Sequence, residues 1–188
     1  MIAADTTTAA DAVTGERAEL VESLRRHRAF LLQTLQGLDR AQATRPTTVS
    51  ELDLAGLVKH VADVEERWAD FCRRGTVAFE DGSGDADWSD PEVLGRMMAW
   101  HARGFHLTED ETLEGVLARY ADVAAATDEL VATLDLDAAS PLPPRPWFEP
   151  GAVWSVRRVL LHVLAETSQH AGHADILREA IDGVKTMG

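Results

Sequence analysis

The sequence predicts an all-α protein built as a bundle of four long helices. Three observations carry this. Four long segments repeat apolar residues at the helical period. No stretch alternates apolar and polar residues over a useful strand length. The connections are rich in glycine, aspartate or proline, which interrupt helices.

The first helix is expected from about Gly15 to Leu38, where Leu20, Leu24, Leu31, Leu35 and Leu38 form the apolar stripe and Val21 and Leu32 widen it. Residues 1–14 read as a frayed polar tail without the basic start or apolar middle of a signal peptide. Residues 15–188 are then expected to form a single domain. The second helix is expected from Leu54 to Arg74, stopped by Gly75, with Leu57, Val58, Val61, Val64, Trp68 and Phe71 inward and His60 beside them. Phe79 to Asp90 reads as a loop, with Trp88 either covering a pocket or pinning the loop. Pro91 to His106 suits a shorter helix, on which His101 and His106 read as surface or packing residues.

Thr108 and Glu111 have capping-box spacing, so a long helix is expected to follow them to about Leu134. Prolines 141, 143, 144, 146 and 150 exclude helix from the next connection, whose Trp147 and Phe148 are expected to tuck onto the bundle. The last helix begins at the N-cap Ser155 and stops near Gly183.

Composition narrows the function. With 32 acidic and 18 basic residues the formal charge is −14, which opposes nucleic-acid binding, where phosphate neutralisation dominates affinity. The one basic cluster, Arg25, Arg26 and Arg28, reads as a solvated face paired with nearby glutamates. No apolar run approaches a membrane span. The single cysteine, Cys72, rules out an intramolecular disulfide, is consistent with the cytoplasm, and reads as a small packing residue despite Arg73 and Arg74 beside it.

Chemistry concentrates on the last helix, at His162, Glu166, His170 and His173. At about 100° per residue these four share an arc of roughly 80°. An inward histidine is ordinarily a hydrogen-bonded core residue, and a Glu–His pair four apart is common on solvated faces. Four such groups flanked by Val159, Val163 and Leu177 are costly to bury unsatisfied, and a divalent metal ion is the simplest single partner for them. Spacing alone leaves open which of the four bind. In a bundle, His60 on the second helix can face Glu166 and His170, giving an open set of two imidazoles and a carboxylate.

The segment ETSQHAGHADILREAIDG, from Glu166 to Gly183, resembles the signature of the DinB superfamily. More narrowly it is similar to the branch that includes the mycothiol-dependent maleylpyruvate isomerase N-terminal domain. Leu54 to Trp68, LAGLVKHVADVEERW, resembles that branch's second helix, and ARYADVAAATDELVATLDLD its third. The resemblance implies an up-down-down-up four-helix bundle, a homodimer, and a divalent metal held by His60, Glu166 and His170. Close relatives often have arginine where this chain has Gln169, and the isomerase has a further C-terminal domain while this sequence ends at Gly188.

The expected function is therefore a metal-dependent enzyme, a transferase or isomerase joining a small electrophile to a low-molecular-weight thiol such as mycothiol, with zinc as the metal. His173 is the candidate proton carrier, or a donor that supports the ligands from behind, and His162 supports them likewise or belongs to the core. The alternatives are a metal- or ligand-binding stress protein without turnover and a metal-dependent hydrolase. The expected partners are a small molecule and a second copy of the chain.

Overall fold

The computed structural model describes residues 15–79 and 86–186. The tail expected at 1–14, and residues 80–85 of the expected loop, lie outside the described residues. Among the described residues six α-helices run in chain order: α1 Glu16–Gln33, α2 Arg40–Ala43, α3 Leu54–Arg74, α4 Pro91–Arg103, α5 Leu113–Thr133 and α6 Val156–Asp182. The long ones, α1, α3, α5 and α6, form a ring in which α1 packs on α6, α6 on α3, α3 on α5 and α5 on α1.

Two apolar clusters fix their directions. One gathers Leu31 from the end of α1, Leu57 and Val61 from the start of α3, Val116 from the start of α5 and Leu177 from the end of α6. The other gathers Leu24, Phe71, Leu130 and Val159 from the opposite ends. Helices α1 and α6 therefore run one way and α3 and α5 the other, which is the up-down-down-up order.

Between the clusters lies a buried polar layer. Glu65 on α3 is fully buried and accepts two hydrogen bonds from Arg28 on α1, which also donates to Asp128 on α5 at 2.9 Å. This corrects the expectation for the basic cluster. Arg25 and Arg26 are solvated as expected, but Arg28 is buried because its partners come from two other helices.

Local chemistry sets the helix ends. Asp53 accepts from the Gly56 amide at 2.7 Å and Ser155 from the Arg158 amide at 3.1 Å. Gly183 closes α6 with φ of 79°, a left-handed conformation that favours glycine. Helix α1 ends at Gln33 and turns, so Leu38 joins the core from outside it. The Thr108 amide does donate to Glu111, but within a turn, and α5 starts later, capped by Thr112.

The proline-rich connection also holds a short antiparallel ladder, β1 Ala139–Pro141 with β2 Val153–Ser155. Three residues are too few to show alternation in sequence. Phe148 packs on Trp68 and Trp154 as expected, but Trp147 is 53% exposed and meets Trp88 instead. Among the described residues no helix is long and apolar enough to cross a membrane.

Candidate metal centre

His60 lies two turns into α3, on the flank of its buried stripe, and α6 carries Glu166 and His170 on the facing side. The three meet. One ligand atom from each lies within 4.8 Å of the others, a group that could hold a metal ion. His60 is 8% exposed, its ring edge-on to His170 with centroids 4.9 Å apart. Burial, with His170 and His101 nearby, lowers its pKa to about 4, so the ring is a neutral donor at neutral pH. The neighbouring His170 holds the Glu166 carboxyl below the usual carboxylate range against the opposing effect of burial.

The gaps within the group are informative. The Glu166 oxygens lie 3.6 Å from His170 Nε2 and 3.8 Å from His162 Nε2, beyond hydrogen-bonding distance. The His170 Nδ1 is buried and has no hydrogen-bond partner among the described residues. Two imidazoles, that of His60 neutral, and a carboxylate gathered within 4.8 Å of one another fit a divalent cation by donor chemistry.

The other two candidates on α6 stand around this set rather than in it. His173 is exposed, its ring 5.7 Å from that of His170. His162 is one turn before Glu166, edge-on to Trp68 at 4.9 Å and Trp154 at 5.2 Å, and burial lowers its pKa.

Two further residues near the group are not evident from the sequence. Phe105, just after α4, stacks on His60 with centroids 3.9 Å apart and planes at 20°. His101, on α4, stands edge-on to His60 at 5.4 Å. The i, i+4 spacing of His101 and Phe105 is the available signal, but nothing in the sequence says that α4 lies against α3. His106 instead meets Asp53 at 3.1 Å.

The loops around Trp88 and Trp147 join each other and lead by Phe148 and Trp154 to His162. Among family models, the one described as MST, mycothiol-S-transferase, matches residues 19–183. The chain belongs to the mycothiol-S-transferase family. This is a DinB-like family, in agreement with the resemblance read from Glu166 to Gly183. No curated protein matches the chain. The mycothiol-S-transferase match takes in α1 from residue 19 and the whole of α3, α5 and α6, and so includes His60, Glu166 and His170.

Proposed function

We propose that this chain is a metal-dependent transferase that joins a low-molecular-weight thiol, mycothiol by family, to a small electrophile. The observation that carries the reading is the convergence of His60, Glu166 and His170 in a chain of the mycothiol-S-transferase family. These three residues are the metal ligands of the proposal. A divalent ion bound there, zinc on this donor set, stabilises the thiolate over the thiol and so supplies a nucleophile at neutral pH.

The protein's own groups divide the remaining work. Phe105 fixes the plane of His60. Glu166 contributes the negative charge that makes the group selective for a cation over a neutral ligand. His173, exposed beside His170, is placed to carry a proton between the site and solvent. The protein works as one unit over 15–188 and, by the resemblance, as a homodimer. Trp100, 53% exposed, offers apolar surface for such pairing, and light scattering checks it.

The test is thiol consumption by the purified protein with mycothiol and a panel of electrophiles. Transfer should be fast with zinc, vanish with a chelator and vanish in His170→Ala. A protein that binds metal but consumes no thiol with any electrophile would sink the transferase reading. It would leave hydrolysis, or metal binding without turnover, to be assayed next.

A further inference from the structure

Helix α4 differs from the four long helices. None of its residues is buried. Yet it is not adrift, because it meets the bundle at the metal centre. The Arg67 guanidinium of α3 lies over the Trp100 ring at 5.1 Å, and one residue later His101 stands against His60 with ring planes at 76°. The His60–His170 pair, within the ligand group, has the same 76° and a similar separation, 4.9 Å. His60 is thus flanked by two imidazoles in like geometry, one from α6 and one from α4.

The His101 side chain lies outside the set whose ligand atoms are mutually within 4.8 Å. No buried side chain of α4 resists a shift toward that set, and Phe105, just after α4, holds the end of the helix beside His60. His101 also stands edge-on to Phe105 at 5.2 Å, so the ring that stacks on His60 and the imidazole of α4 lie together at the same side of that residue.

We propose that His101 is a further metal-binding residue, an exchangeable fourth ligand carried to the His60, Glu166 and His170 group by α4. It rests on the metal reading of the proposed function. His101 completes the donor set while no thiol is present. A thiol arriving at the occupied site would displace the His101 nitrogen with its sulfur, and the thiol proton would pass to the solvent buffer. The donor count is the same before and after. The site is then closed to adventitious ligands at rest and opens to a thiol by movement of α4.

The experiment uses the full chain loaded with Co(II), with 2-mercaptoethanol as the thiol probe. X-ray absorption counts imidazole and sulfur donors, and visible absorption follows thiol binding. Wild type should show three imidazoles at rest, and two imidazoles plus one sulfur with thiol. His101→Ala and His101→Gln should each show two imidazoles at rest. If His101 occupies the metal about nine-tenths of the time, either variant should bind the thiol roughly tenfold more tightly, since the competing donor is gone. Two imidazoles in resting wild type, or equal thiol affinity in wild type and both variants, overturns the role of His101 and leaves the three-ligand reading intact. Failure of wild type and variants alike to take up cobalt overturns both. Because α4 buries nothing, unchanged helicity by circular dichroism is expected for both variants.

Discussion

His60 and Phe105 lie face to face, 3.9 Å between ring centroids, and the backbone of Phe105 comes so close to α3 that a Cβ on Gly56 would stand 1.7 Å from the Phe105 carbonyl oxygen. Gly56 is one turn before His60 on α3. A buried glycine on the flank of α3 therefore admits the chain segment that carries the ring, and the ring lies flat against His60. The candidate site thus includes a close backbone approach as well as the His60, Glu166 and His170 group.

Gly56→Ala should displace the segment after α4, because the clash is with backbone, which cannot rotate away. Overpacking of this kind typically costs about 1–3 kcal/mol. Metal affinity should fall as well, on the order of tenfold, in the range seen when a group orienting a ligand is removed. Phe105→Ala should reproduce the affinity loss without the clash. Chemical denaturation and competitive chelator titration measure the two effects separately. An unchanged affinity in both variants would show that His60 is oriented by α3 alone.

Much of this was legible in the sequence, for a physical reason. Helix ends are decided by near neighbours, so Leu54, Gly75, Ser155 and Gly183 mark their helices correctly. A four-residue spacing on one helix places Glu166 and His170 on one side, and His60 follows once the bundle and the family pattern are recognised. Contacts between distant segments left no such mark. Arg28 and Glu65 are 37 residues apart, and each on its own reads as a surface charge. His101 reads as a surface or packing residue on a shorter helix, and it is exposed while its ring packs edge-on to His60. Only the docking of α4 gives it significance.

Metal and fold should separate in Glu166→Ala. The two apolar clusters draw on all four long helices at either end of the bundle, so on the metal reading the helices should stay together without the ion. Wild type purified without added metal should carry a divalent ion near one per chain, with bonds to nitrogen and oxygen of about 2.0–2.2 Å if it is zinc. Glu166→Ala should lose that stoichiometry by elemental analysis yet keep its helicity and a cooperative melt. An unfolded variant would mean that the ion serves the fold, and would weaken the catalytic reading.

The buried Arg28–Glu65 pair should be costly to break and cheap to replace. Both groups are out of water, 4% and 0% exposed, and Asp128 takes a third hydrogen bond from Arg28. Glu65→Ala leaves a buried guanidinium short of its main partner and should destabilise by about 3–5 kcal/mol. Arg28→Met with Glu65→Leu removes both charges and should recover most of that loss. Denaturant titration of the single and double variants measures the coupling. If the double variant is as unstable as the single, the layer serves packing that neither methionine nor leucine can supply.

Cys72 is the protein's own thiol, and under the proposed transfer it would be a rival nucleophile. It sits near the end of α3, partly buried against the second apolar cluster, and burial pushes its pKa up from the ordinary 9.0 to about 12, with Arg73 opposing only weakly. At pH 8 it is a thiol, so alkylation by iodoacetamide should be slower than for a free cysteine by on the order of a hundredfold, the scarcity of thiolate outweighing its greater intrinsic reactivity. The sign of the linked stability follows. Above pH 9 the unfolded chain releases the Cys72 proton while the folded chain keeps it until about pH 12. The folded state's advantage from this group is therefore complete below pH 9 and lost as pH rises through that window. Cys72→Ala should flatten the alkaline fall in stability and leave thiol transfer at its wild-type rate. Loss of transfer in that variant, with metal content and melting unchanged, would move the nucleophile from the co-substrate to the protein.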